Sequence, residues 1–231
     1  MKLDRLLELA WEYREAFIAG AWISLTLTVL AMVIAAIAGL ALTIGIMSQR
    51  RIVRYPAITI LEFFRNTPIL VLVVWVHFAL PDLIGVKLVA YASSVLALAL
   101  QSTGYLAEDY RAGIESIDKG QFEAARSLGM TFPYLMRRII LPQAFARIVP
   151  SVLNQFVLCF KSTSVVSIIA VPDIMYVANV IVNNTFLPMY IYTIAAVMYF
   201  GLVFVISASV RYLTEKIYEG QRVSASFRTA A

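Results

Sequence analysis

The sequence predicts an all-α, polytopic integral membrane protein: five transmembrane helices, an interfacial helix before them, and a folded polar loop in their midst. Three observations carry this. First, the 231 residues are 61% hydrophobic and only 14% charged, with a mean hydropathy of +0.82, whereas soluble domains are about half apolar and a quarter charged. Second, the apolar residues fall into runs of membrane-spanning length. Third, Lys and Arg gather in alternate connections, as the positive-inside rule requires. The net charge of +5 therefore reflects topology and is no nucleic-acid footprint. The length suits one polytopic domain.

Residues 1–20 form the interfacial element. Leu3, Leu6, Leu7, Ala10, Trp11, Phe17 and Ile18 recur at helical spacing, with Asp4, Arg5, Glu8, Glu12 and Glu15 mostly between them. That pattern is an amphipathic helix for a membrane surface. It is too acidic for a secretory signal, and the apolar run after it is too long. The transmembrane domain is expected over 21–216, and 217–231 form a tail without a pattern.

Spans are expected at 22–47, 58–80, 88–106, 150–171 and 189–213. The first is uncharged, and Ala31, Ala35 and Gly39 give it a small-xxx-small face for helix packing. The second must bring Glu62 and Arg65 near the membrane, because its cleanly apolar part is short. These two are spaced to pair, and Arg65 snorkelling to the interface is favoured over a deeper role. The third carries Gln101, Tyr105 and Glu108 on one stripe. The fourth carries Asn154 and Lys161 on one face, with Gln155 and Ser162 beside them. A mid-span Lys161 needs an acidic partner, a water-filled cavity, or both; a structural ion pair and a solute-receiving cavity are both open.

Five spans place Arg50, Arg51 and Arg54, the six basic residues of the central loop, and Arg211, Lys216, Arg222 and Arg228 on one side. The connection 172–188 has no Lys or Arg. The expected topology is N-terminus outside and C-terminus in the cytoplasm.

The central loop, 108–149, cannot sit in a bilayer, yet its pattern is that of a folded element. Asp118 and Gln121 make a capping-box signature. Gly129 is placed to stop the helix that follows. Thr131 offers a second N-cap, and Pro142 is expected to end the second short helix. Ala124, Ala125, Leu128 and Gly129 share a small, smooth face. Docking onto another protein and packing onto the chain's own membrane domain are both open from periodicity alone.

Catalytic chemistry is poorly supported. No P-loop and no HExxH occur, His77 is the lone histidine, and the single Cys159 allows no internal disulfide or Cys-based metal spacing. The halves show no inverted repeat, which weakens a stand-alone secondary transporter. Five spans are also too few to enclose a pathway comfortably, so an oligomer is expected.

The residues carry a family resemblance. EAARSLGM at 123–130, with ILPQAFARIVP after it, resembles the EAA motif of membrane subunits of ABC importers. FRNTPIL at 64–70, GYLAEDYRAGIESIDKGQ at 104–121, FKSTSVVSII at 160–169 and GAWISLTLTV at 20–29 resemble further segments of the polar amino acid permeases, the histidine/glutamine/glutamate/arginine group. The matches run in order from the first span to about Asp173. The sequence departs from the family at Asn66 and Ala112, where Gly is usual, at Gly104, where Ala is usual, and at Ser162, often Asp or Asn.

The resemblance implies an ABC type I importer transmembrane domain in the bacterial cytoplasmic membrane. It implies a second permease subunit, identical or paralogous, a cytoplasmic ABC ATPase dimer, and a periplasmic or extracellular amino-acid-binding protein. ATP and Mg would belong to the ATPase, with no cofactor on this chain. The coupling helix would begin at Glu123, with Ala124, Ala125, Leu128 and Gly129 at the contact. Gln101, Tyr105, Glu108, Asn154, Gln155 and Lys161 are the candidate pathway residues. The alternatives are an ion-coupled carrier or channel without an ATPase, an exporter or regulatory subunit of the same class, and, more distantly, an intramembrane hydrolase.

Overall fold

The computed structural model describes residues 3–229; the side chains of residues 213 and 216–229 lie outside that description. Every regular element within it is helical. Helix α1 (Leu3–Glu12) lies before α2 (Arg14–Ile46), so the first long helix begins eight residues earlier than the hydropathy suggests. Leu9 of α1 and Phe17 of α2 are buried together with Ile174, Ala178 and Ile191. Leu3, Leu7 and Trp11 stay exposed on α1, as an interfacial helix requires.

Helix α2 shows both faces of a membrane helix. Ala31, Ala35 and Gly39 are buried, while Val33, Ile37, Leu40 and Ile44 form an outward apolar stripe. The buried face meets α6 (Ala90–Glu115). A Cβ on Gly39 would stand 3.2 Å from Leu106 Cβ and 3.3 Å from the Ala107 nitrogen, so glycine sets this approach. Thr43 Oγ1 donates to the Ala107 carbonyl at 3.0 Å across the same contact.

The second expected span is not one helix. Helix α3 (Arg51–Asn66) and the stretch Ile69–Ile84 meet at a bend of 105°. The cause is local. Pro68 has no N–H to continue the ladder, and it forces Thr67 into an extended conformation at φ −81°, ψ 126°. Beyond the bend, α4 (Ile69–Val74) passes through a π-turn (Trp75–Ala79) into α5 (Leu80–Ile84). His77 in that turn hydrogen-bonds Ser93 of α6 at 3.0 Å, the bundle role expected for it.

Pro142 does not end its helix either. Helix α7 (Lys119–Ser127) is followed by α8 (Phe132–Leu135), a π-turn (Met136–Ile140), α9 (Leu141–Ser162) and a 3₁₀ stretch (Thr163–Ile169), and Phe132–Ile169 is one helical rod of 38 residues. Both π-turns end two residues before a proline, Pro81 and Pro142. The extra residue per turn moves the carbonyls that the pyrrolidine ring would strike and absorbs the missing donor. Pro150 also lies inside α9.

The connection 172–188 holds a further helix, α10 (Ile174–Thr185), that hydropathy alone hides. Buried Asp173 caps it, accepting from Tyr176 N at 2.9 Å and Met175 N at 3.1 Å. Tyr199 Oη of the last helix, α11 (Pro188–Thr229), donates to the same carboxylate at 3.1 Å. The backbone of α11 runs on through the segment expected to lack a pattern; its residues beyond the membrane run are mostly helix-tolerant, Gly220 being the weakest.

Arg14–Ile46, Phe132–Ile169 and Pro188–Tyr212 are each long and apolar enough to cross a membrane, and the bent pair makes a fourth if taken as one span. Helix α6 is long enough too, about 39 Å at 1.5 Å per residue. Its apolar content is diluted by Ser93, Ser94, Gln101, Ser102 and Thr103. It tolerates them because α2, α3, α4 and α9 surround it.

Burial pushes the Asp173 carboxyl up to about 6. A raised carboxyl favours the protonated form in the fold, so stability falls as pH rises from the ordinary carboxylate range through about 6. Asp173→Asn keeps the cap acceptor and is expected to flatten that pH dependence. Asp173→Ala removes the cap and is expected to destabilise by about 1–2 kcal/mol. Thermal unfolding of the purified variants between pH 4 and 8 checks both.

Candidate functional site

A cavity of about 430 Å³ opens between α6 and α9. Gln101 and Tyr105, one turn apart on α6, form one wall. Gln155, Leu158, Lys161 and Ser162 of α9 form the other. Ile69, the first residue after the Pro68 bend, and Val165 of the 3₁₀ stretch close it. The break at Thr67–Pro68 thus positions the cavity: a straight second span would run past it.

Three of the polar groups here donate to backbone carbonyls. Gln101 Nε2 donates to the Thr67 carbonyl at 3.4 Å, Tyr105 Oη to the Arg65 carbonyl at 3.4 Å, and Ser162 Oγ to the Leu158 carbonyl at 3.0 Å. Gln155 is 7% exposed, and its carboxamide makes no hydrogen bond among the described residues. Its remaining exposure opens into the cavity. No carboxylate lies within 4.0 Å of the Lys161 ammonium among the described residues, so the structural ion pair held open for it is not formed.

Two other expected pathway residues sit elsewhere. Asn154 is exposed on α9 and lines neither cavity described here. Glu108 faces a second cavity of about 540 Å³, further along α6, lined also by Arg54, Glu62, Arg65, Arg111 and Glu115. Arg111 holds Glu108 at 2.5 Å and Glu115 at 2.6 Å, and Arg65 stands 3.8 Å from Glu108. The pairing expected between Glu62 and Arg65 is absent. Glu62 instead accepts from Asn66 Nδ2 at 2.7 Å, because Arg65 turns across to α6 where Gly104 leaves room: a Cβ on Gly104 would meet the Arg65 side chain at 3.3 Å. The stripe Gln101–Tyr105–Glu108 therefore runs from one cavity to the next, with Tyr105 and Arg65 between them.

At the other end of the rod sits the hairpin made by α7 and α8. Asp118 caps α7, its carboxylate accepting from Gly120 N at 2.6 Å. Gly129, at φ 73°, ends it in a Schellman turn: Met130 N bonds the Ala125 carbonyl at 3.1 Å, and Gly129 N the Arg126 carbonyl at 2.9 Å. Thr131 precedes α8 but makes no side-chain cap. Glu123, Ala124, Leu128 and Gly129 are exposed, Leu128 by 76%. Ala125 is not on that outer face. It is 2% exposed and packs inward with Ile117, Leu135, Ile140 and Ala144. The i, i+1 step that joined it to Ala124 turns the helix by about 100°, enough to change sides. Of the two possibilities left open for this face, packing onto the chain itself holds for Ala125.

Sequence reasoning missed the Arg111–Glu115 arm of the ion cluster, although its i, i+4 spacing was visible. It also missed Asp173 as a cap, which the Pro172-Asp173 pair before an apolar run signals.

The model of the binding-protein-dependent transport system inner membrane component family matches residues 31–218. The probable glutamine ABC transporter permease protein GlnM of Bacillus subtilis (strain 168) is 34% identical over 194 residues, 82% of this chain and 89% of its own. The arginine transport system permease protein ArtQ of the same organism is 35% identical over 195 residues, 81% and 86%. A crystal structure of an amino acid ABC transporter with histidines superposes with a TM-score of 0.87 at 34% identity, covering 94% of this chain and 100% of that one.

Glu108→Ala removes the acceptor shared by Arg111 and Arg65. With these side chains 30–32% exposed, the expected loss is about 1 kcal/mol at low salt, shrinking in high salt. Thermal unfolding in detergent at two salt concentrations measures it; a salt-independent loss would contradict the ionic account.

Proposed function

We propose a mechanism from one premise: the chain belongs to the family of binding-protein-dependent transport system inner membrane components. It is a membrane permease subunit of an ABC importer, and it is not itself the ATPase. Members of this family work with an ATPase and a binding protein. No relative supports an ion-coupled carrier or channel.

In the proposed assembly, two such permease subunits stand side by side over a cytoplasmic ATPase dimer that holds ATP and Mg. A binding protein on the outer face delivers a polar amino acid. The N-terminus lies outside and the C-terminus in the cytoplasm, by the distribution of Lys and Arg. Relatives named for glutamine and for arginine are equally similar, so similarity alone leaves the amino acid open. The solute passes through the cavity that holds Gln101, Tyr105, Gln155 and Lys161.

One observation carries the coupling: the rod Phe132–Ile169 joins the hairpin to the cavity. Its near end, at Leu135, Ile140 and Ala144, is packed against Ala125 of α7. Its far end carries Gln155, Lys161 and Ser162. About 26 Å of continuous helix separates Ala144 from Lys161. Arg147 donates to Ser116 Oγ at 2.9 Å and to the Ser116 carbonyl, tying the rod to the end of α6. Closure of the ATPase dimer on ATP binding displaces α7, the packed hairpin moves as a unit, and the rod carries the displacement into the cavity wall. Hydrolysis reverses it. This chain does no covalent chemistry in the cycle.

Glu123, Ala124, Leu128 and Gly129 form the ATPase contact. Ala125 is the inward anchor that makes the contact rigid. Leu128→Glu places a charge on this face without touching the core, and is expected to cut co-purification of the ATPase from native membranes by about tenfold or more. Gly129→Ala tests the turn separately: its φ of 73° predicts about 1 kcal/mol of strain. A monodisperse Leu128→Glu protein that retains its ATPase in full would refute the docking assignment.

A further inference from the structure

We propose that the cavity between α6 and α9 selects amino acids with uncharged or acidic side chains and rejects basic ones. The proposal rests on this cavity holding the solute.

The charge of the lining decides it. Eight residues line the cavity; Lys161 is its one formal charge, and none is acidic. The acids nearest along α6 do not serve. Glu108 is held by Arg111 at 2.5 and 3.1 Å and faces Arg65 at 3.8 Å. Glu115 is held by Arg111 at 2.6 Å. Asp109 lies a turn beyond Tyr105 and does not line the cavity. Among the described residues the lining therefore holds one cation without an ion-pair partner, Lys161, which also borders a neighbouring cavity at Tyr199 and Phe200.

A free amino acid fits that arrangement in a defined way. Its α-carboxylate pairs with the Lys161 ammonium. Its α-ammonium donates to the neutral oxygens of Gln101, Tyr105 and Ser162, each of which already donates to a backbone carbonyl and keeps an acceptor free. The remaining group is Gln155, more than nine-tenths buried, without a hydrogen-bond partner among the described residues, and open to the cavity. A carboxamide side chain on the solute satisfies both the donor and the acceptor of Gln155. A carboxylate side chain takes its N–H and shares Lys161. The carboxamide thus meets both groups of Gln155, while the carboxylate meets its N–H and gains the Lys161 charge instead. A guanidinium or ammonium side chain brings a second cation beside Lys161 and finds no carboxylate among the described lining residues. The volume of about 430 Å³ lies within the range of small-molecule sites.

The test is direct binding to the complex extracted with its companion subunits, without the solute-binding protein, so that the permease alone selects. Equilibrium dialysis with radiolabelled glutamine, glutamate and arginine is expected to show binding of the first two, and arginine about tenfold weaker or worse. Lys161→Gln is expected to weaken glutamate about tenfold or more, and glutamine less. Ser162→Asp introduces a carboxylate beside Lys161 and is expected to bring arginine binding up while glutamate falls. It is a gain that a misfolded variant cannot mimic. Arginine binding wild type as well as glutamine, with Lys161→Gln and Gln155→Ala both weakening every solute, overturns the selectivity and leaves the cavity as the site. Solute binding unaffected by Lys161→Gln, Gln155→Ala and Ser162→Asp in monodisperse, ATPase-active complexes removes the cavity itself. No binding of any of the three solutes to such an active complex also counts against the cavity.

Discussion

The close approach of α2 and α6 is the contact on which the rest depends. In a bilayer, apolar side chains gain little by leaving lipid for protein, so packing must come from backbones that touch. Gly39 allows that touch, and the Thr43 hydroxyl, bonded to the Ala107 carbonyl at 3.0 Å, uses it. With α2 on one side and α3, α4 and α9 on the others, α6 is shielded from lipid. A shielded helix can carry Ser, Thr, Gln and Tyr without exposing them to hydrocarbon. The polar stripe that lines the two cavities exists because α6 is central.

Proline supplies the second constraint. Pro68 breaks the second span and turns it by 105°, which opens the wall where Ile69 now stands. Pro81 and Pro142 are absorbed by π-turns, so the helices continue past them. The same residue type thus breaks one helix and is carried by two others. The difference lies in the preceding turn: Thr67 is extended, whereas residues 75–79 and 136–140 widen by one residue. The consequence is the continuous rod Phe132–Ile169, which puts the hairpin contact at one end and the cavity-lining Lys161 at the other on one element.

Electrostatics divides the two cavities. The one toward Glu115 is balanced, with Arg54, Arg65 and Arg111 facing Glu62, Glu108 and Glu115. The one toward Lys161 is not. Along α6 the two cavities are separated by Tyr105 and Arg65, with the Glu108–Arg111–Glu115 ion pairs on the far side.

Much of this was legible in the sequence. Hydropathy and the positions of Lys and Arg gave the class. Small residues at i, i+4 spacing marked the buried face of α2. Asp118 and Gly129 marked both ends of α7, since caps and left-handed turns depend on residues a few positions apart. Gln101, Tyr105, Gln155 and Lys161 were found because polar residues in an apolar run are costly and stand out. What the sequence could not decide was everything that depends on a neighbour far along the chain. Ala125 turned inward because Leu135 and Ile140 fold back over it. Glu108 left the solute cavity because Arg65 and Arg111 reach it first. Asn154 shares a helical face with Lys161 but lies outside the cavity, because no second wall stands opposite it. Lys161 stayed without an ion pair because packing put no carboxylate on its cavity wall among the described residues. Local sequence determined which stretches become helical, because capping and periodicity act over a few residues; tertiary packing decided which charges meet, pairing Arg65 and Arg111 with Glu108 and leaving Lys161 on a cavity wall without an ion pair.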